Sequence, residues 1–321
     1  MSGKESWKIT AHGPRAVIEA ALLRHEDAWD WDAEIVLSGS EIAEDRPDDW
    51  RLEAWLAREP GKSELNMIRA LFARPPLLRI EQIEDADWLV LSQRGFDPIE
   101  AGRFRVRTPE HPPAPAPGVC ELVIPASRAF GTGQHATTAG CLAMLTYMRA
   151  QGVVVRNCAD IGTGTGLLAF AALELWPRAL ATASDIDPVC ADVVADNARL
   201  NGIALGARAG EVTMVIADGM DHPLLQARAP YDLLIANILA GPLVGLAPAF
   251  AAATIPGASL VLAGLLASQE DEVRAAAMRT GFRLAARLVN RDWSILWLRR
   301  RSGGRIRAGR AAALPEWSRK W

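Results

Sequence analysis

The sequence predicts an α/β protein in two parts. A small α+β domain of ferredoxin-like plan occupies residues 1–85, and a larger domain over 119–300 is built on a mostly parallel sheet covered on both faces. Three observations carry this prediction. The first 85 residues read strand, helix, strand, strand, helix, strand. From residue 119 on, strand and helix patterns alternate, which implies parallel strands joined by crossover helices. Between the two parts lies the proline-rich stretch "EHPPAPAPG", stiff, extended and unsuited to a core. At 321 residues, with 50% apolar and 23% charged content, the chain is long for one ordinary domain and can bury a large core.

In the first part, "ESWKITAH" reads as a strand, and "GPRAVIEAALLRH" as a helix with proline near its first turn and one apolar face. Strands follow around 33–38 and 50–57, then a helix near 63–73 and a strand at 77–83. Six of the eleven tryptophans precede residue 90, and their expected use is to cover a thin sheet. Residues 86–118 are read as a linker.

In the second part, "VVVRNCAD" is a buried strand that opens into "IGTGTG" and then the apolar helix "LLAFAALEL". "LATASDID" is the next strand, followed by a helix opened by Pro188 and closed at Asn201-Gly202. "VTMVIAD", "YDLLIAN" and "ASLVLAG" are further parallel strands. A helix from 268 to 280 and the pair "FRLAARLV" and "WSILWLRR" complete a seven-stranded sheet with a terminal hairpin. Residues 301–321 form a basic tail expected to stay outside the fold.

Composition narrows the function classes. No apolar run is long enough to cross a bilayer and the first ten residues lack the apolar core of a secretory signal, so a cytoplasmic protein is expected. Cys120, Cys141, Cys158 and Cys190 have no metal-ligand spacing, and neither a metal nor a disulfide is expected. The net charge of −3 is unevenly spread: acidic side chains predominate over residues 1–85, whereas 299–321 hold eight basic residues and one acidic.

Ligands of open α/β sheets lie beyond the carboxyl ends of the strands, so the polar residues there are the candidates. Gly162, Gly164 and Gly166 let the backbone approach a ligand, and the free amides of the following helix favour its anionic end. A dinucleotide fingerprint would require glycine at 167, which is leucine. Asp185 ends the next strand, where a carboxylate accepts hydrogen bonds from ribose hydroxyls, and Asp218 follows the third strand, toward the base. Asp187, just before Pro188, reads as a helix cap. Asn237 ends the fourth strand in "IANILAGP".

"AFGTGQHATT", "DIGTGTG", "SDIDP" followed by "DNARLNG", and "ANILAGPL" stand in the order and spacing that resemble the PrmA-type ribosomal-protein methyltransferases, which modify the large-subunit protein L-eleven. The resemblance is strong over the second domain and looser, through "EDADW", over the first. It implies a class I S-adenosylmethionine-dependent methyltransferase fold, S-adenosyl-L-methionine as donor, and a ferredoxin-like domain that recognises the substrate. It also implies methylation of lysine and amino-terminal amines of L-eleven. Carried over, the donor contacts are Thr138, Gly162, Asp185 and Asn237, with Phe130, Gly131, Thr132, Gly164 and Asp218 as further members. Where the family has His-Pro-Thr-Thr this chain has His135-Ala136-Thr137-Thr138, and the tail has no counterpart.

Base-methylating enzymes of similar plan place an aromatic ring after this Asn to stack on a flipped base. Ile238 and Leu239 stand there instead, an aliphatic wall suited to a lysine stem, and with Asn237 they are the expected acceptor site. The alternatives are a lysine methyltransferase for another protein, such as the electron-transfer flavoprotein β subunit, and a noncatalytic ribosome-assembly factor. A monomer is expected, and the arginine-rich tail leaves contact with ribosomal RNA open.

Overall fold

The computed structural model describes residues 6–26, 31, 35–42, 46, 48–56, 58–83, 98–125 and 134–301. Contacts divide the chain into two compact units, Met1–Phe96 and Asp97–Trp321.

The first unit runs β1 (Ser6–Pro14), α1 (Arg15–Glu26), β2 (Val36–Glu41), β3 (Asp49–Leu56), α2 (Lys62–Ala70) and β4 (Leu78–Ile83). The strands form an antiparallel sheet in the order β2-β3-β1-β4, which is the ferredoxin-like topology. Period-two alternation explains which face is buried. Ile9, Ala11, Leu52, Ala54 and Leu56 meet Ile18 and Ala21 of α1 and Ile68 of α2 in one core. The other face carries Lys8, ion-paired to Glu53 at 3.7 Å and Glu81 at 3.4 Å and lying 5.4 Å from the centre of the Trp55 ring. Trp31 and Trp50 pack against the core and Trp55 under Lys8, so these three cover the sheet as expected.

The second unit begins with β5 (Ile99–Ala101), β6 (Phe104–Arg107) and β7 (Cys120–Val123), a small sheet in which β6 and β7 pair in parallel. Over 98–118 this corrects the reading of 86–118 as linker, and residues 86–97 lie outside the described residues. Ile99, Phe104, Val106 and Leu122 are buried in the same core as helix α3 (Gln134–Ala150), because their alternate positions give even these short strands an apolar face. The proline stretch is an exposed loop between β6 and β7. Glu121 ties its base: its carboxylate pairs with Arg105 at 2.5 Å and Arg107 at 2.8 Å and accepts the Ala114 amide at 3.0 Å. That amide first, and then the Arg107 guanidinium, pull the Glu121 carboxyl down to about 2.

The large sheet follows, with β8 (Asn157–Ile161), α4 (Leu167–Leu175), β9 (Leu180–Asp185), α5 (Val189–Leu200), β10 (Val212–Ile216) and α6 (Pro223–Arg228). It continues through β11 (Tyr231–Asn237), α7 (Ala240–Ala252), β12 (Thr254–Leu266), α8 (Glu270–Arg279), β13 (Phe282–Asn290) and β14 (Trp293–Arg300). The order is β10-β9-β8-β11-β12-β14-β13, with β14 alone antiparallel to both its neighbours. Successive residues of β11 alternate between two cores: Leu233 and Ile235 face α3, α4 and α5, while Leu234 and Ala236 face α6, α7 and α8. Burial on both faces is why "YDLLIAN" is an unbroken apolar run. The strand order reverses between β8 and β11, and the carboxyl ends on either side of that switch carry the candidate residues. The tail, 302–321, lies outside the described residues.

Candidate active site

The glycine loop follows β8 directly. Gly162, Gly164 and Gly166 have φ of 71°, 55° and 84°, the left-handed region that glycine enters without penalty. The loop is tied to β9 by the Gly162 and Thr163 amides, which donate to the Ser184 carbonyl at 2.8 and 2.9 Å. A methyl group added at Gly166 would come within 2.6 Å of the Phe170 ring, whereas one at Gly164 would meet nothing within 4 Å. Gly166 is therefore glycine for packing, and Gly164 borders open space that a ligand can enter.

Asp185 lies beside this loop. One carboxylate oxygen accepts the Gly164 amide at 2.8 Å and the other the Asp187 amide at 3.1 Å, which fixes the group while each oxygen retains a second lone pair. Asp187 accepts the Val189 amide at 2.9 Å, the capping role expected of it. Asp160, at the end of β8 beneath the loop, is only 2% exposed and accepts the Thr163 hydroxyl at 2.6 Å. Burial pushes its carboxyl up to about 7, and the negative Asp185 adds to the rise, against the pull of the Thr163 hydroxyl and the Ala169 amide.

Asn237 ends β11 facing the first turn of α3, and its amide nitrogen donates to the Thr138 hydroxyl at 3.5 Å, the outer limit of a hydrogen bond. Its amide oxygen is buried and has no partner among the described residues. A buried acceptor without a donor costs free energy unless a ligand supplies one. Leu239, 60% exposed, is the open member of the aliphatic pair, while Ile238 is partly buried against the second core. Asp218 is exposed beyond β10. The fold thus brings Thr138, Gly162, Gly164, Asp185, Asn237, Ile238 and Leu239 to one sheet edge, with Asp218 at its end; Phe130, Gly131 and Thr132 lie outside the described residues.

Sequence reasoning overlooked three residues here. Ile186, next to Asp185, is 66% exposed at the sheet edge, an apolar surface suited to a flat ring. A large aliphatic residue just past a strand end was the available signal. Asn197 donates to the Thr165 carbonyl at 2.9 Å and so braces the glycine loop from α5. Asn201 bonds both the amide and the carbonyl of Val123, at 2.7 and 2.8 Å, holding β7 in place. These three bonds account for both asparagines of "DNARLNG".

The sequence matches the family model described as ribosomal protein L11 methyltransferase (PrmA) over residues 22–301. The chain belongs to this family. A relative from Rhizobium meliloti (strain 1021), a ribosomal protein L11 methyltransferase, is 39% identical over 264 residues, covering 81% of this chain and 88% of its own. Another from Agrobacterium fabrum (strain C58 / ATCC 33970) is 36% identical over 271 residues, covering 83% of this chain and 90% of its own. Among solved structures, the ribosomal protein L11 methylase of Lactobacillus delbrueckii subsp. bulgaricus superposes with a TM-score of 0.51 at 25% identity, over 64% of this chain and 99% of that one. The sheet is that of class I methyltransferases, and the enzyme uses S-adenosylmethionine as its methyl donor. The open space beside Gly164 and the fixed Asp185 carboxylate fit such a donor.

Proposed function

We propose that this enzyme methylates lysine side-chain and amino-terminal amines of ribosomal protein L11, with Asn237, Ile238 and Leu239 at the acceptor end and Thr138, Gly162, Gly164, Asp185 and Asp218 around the donor. The observation that carries the site reading is the buried, unpartnered oxygen of Asn237 at the sheet's switch point. Bound there, the donor supplies a sulfonium methyl. The chain's task is to present a neutral amine in line with it.

A free lysine, with a reference pKa of ~10.4, is mostly charged at pH 7, and neutralising it costs about 4.6 kcal/mol. An aliphatic wall at Leu239 disfavours the ammonium form, as does a neighbouring positive charge. The Asn237 oxygen then accepts an N–H of the amine and turns its lone pair toward the methyl, a role that needs no proton to be held by the protein. Absence of an aromatic ring after Asn237 favours a lysine stem over a nucleobase.

The acidic first unit supports recognition of a basic partner, since complementary charge speeds encounter. The protein works in the cytoplasm as a monomer in this reading. Calorimetry of donor binding tests the site: a donor Kd that rises at least tenfold with Asp185→Ala supports it, and unchanged binding by that variant refutes it.

A further inference from the structure

Ile238 lies between two glycines, one in the loop after β8 and the other in β12. A methyl group built on Gly162, in the donor loop, would fall on Cγ2 of Ile238. One built on Gly264, in β12, would fall on the Ile238 carbonyl oxygen and within 2.8 and 2.9 Å of its carbonyl carbon and amide nitrogen. Gly264 has φ of 83° and stands one residue past Ala263, the partner of Asn237 in the β11–β12 register. The pairing of β12 with β14 shifts register between Leu262 and Leu265, so Gly264 sits in a bulge that brings its backbone against the turn after Asn237.

We propose that Ile238 is a positioning residue that locks the donor loop to the acceptor end of β11, and that Gly264 is the glycine that allows it. The side chain of Ile238 fills the space above Gly162 while its main chain fills the space above Gly264. Any displacement of the turn at one glycine is transmitted to the other through one residue, by its main chain at Gly264 and its side chain at Gly162. Leu239, pointing into open space, is then the wall that meets the incoming amine, and Ile238 sets the distance between that wall and the donor loop. Since a misplacement of about 1 Å can cost on the order of 100-fold in rate, such a lock is a functional requirement of in-line transfer. The inference rests on the donor site proposed above.

Two double-mutant cycles on the full-length enzyme test it, read as donor Kd by calorimetry, which requires no acceptor. Gly162→Ala should weaken donor binding about tenfold or more, and adding Ile238→Ala should recover the part of that loss due to the obstructing methyl, the remainder belonging to the left-handed φ of 71°. Gly264→Ala should weaken donor binding about tenfold although β12 is remote from the glycine loop in sequence, and should have a clearly smaller effect once Ile238 is alanine, because the displaced main chain of residue 238 then has no side chain over Gly162. Additive effects in either cycle would overturn the proposal, as would coupling that appears in melting temperature and not in Kd. If Gly264→Ala does not fold, the Gly162 cycle decides alone. Wild-type binding that survives Asp185→Ala would remove the site reading and this inference together. Loss of binding in Asp185→Ala with no coupling through Ile238 would remove this inference only.

Discussion

The buried carboxyl of Asp160 makes stability depend on pH in a way that one substitution should abolish. Its carboxyl is pushed up to about 7, against an ordinary value of ~3.9 in an unfolded chain. Between those two values the folded state holds more protons than the unfolded state, so stability falls as pH rises, by up to ~1.4 kcal/mol per pH unit. The stabilising contribution is complete below the ordinary carboxylate range and lost as pH climbs through about 7. From pH 5 to pH 7 the loss amounts to about 2 kcal/mol, or roughly 1 M in urea midpoint at a slope of ~2 kcal/mol per molar. Asp160→Asn keeps an oxygen for the Thr163 hydroxyl and removes the titrating group. Urea titrations followed by circular dichroism at pH 5, 6, 7 and 8 should show the midpoint of the wild type falling while that of Asp160→Asn stays nearly level. Equal slopes in the two proteins would refute the assignment of a high carboxyl pKa to the floor of the glycine loop.

Glu121 should behave in the opposite sense: its lowered pKa stabilises the fold above the ordinary carboxylate range, and that contribution is lost as pH falls through about 2. Glu121→Gln should therefore lower the urea midpoint at pH 7 modestly, because Glu121 is solvent-accessible enough for screening, and remove the midpoint's fall below pH 4. Asp185→Ala should raise the donor Kd by at least tenfold with the melting temperature nearly unchanged, since a charge-assisted bond to a hydroxyl is worth ~1.5–3 kcal/mol; equal affinities would refute the donor site. Reversing three or four exposed acidic residues of the first unit should raise the KM for L11 several-fold without changing kcat, and the effect should shrink at 0.5 M salt.

Much of the candidate site's sheet edge was legible because glycine and polar residues interrupt apolar runs where strands end. Gly162, Gly164, Asp185 and Asn237 each sit at such an interruption, and the sheet topology follows from the alternation of strands and helices. The small sheet was not legible: β5, β6 and β7 are three or four residues long, and β6 pairs with β7 across a proline loop that reads as a boundary. What makes that loop part of the second unit is Glu121 reaching back to Arg105, Arg107 and the Ala114 amide, a set of contacts without sequence periodicity. The contact of Gly264 with Ile238 was equally hidden. A glycine near the end of an apolar strand is common, and only the bulge opposite β14 brings its backbone onto the turn. Asn197 and Asn201 stand in a recognisable motif, but their hydrogen-bond partners come from elements 32 and 78 residues away.

The most direct test is to incubate purified L11, free and in assembled ribosomes, with the enzyme and S-adenosylmethionine, and to read intact mass. Successive increments of one methyl group on L11, absent with Asn237→Ala and with Asp185→Ala, are the predicted result. An L11 mass that does not change, under conditions where the wild-type enzyme binds its donor, would contradict the assignment of L11 as the substrate. Increments that persist in Asn237→Ala would contradict the role given to the unpartnered oxygen at the end of β11.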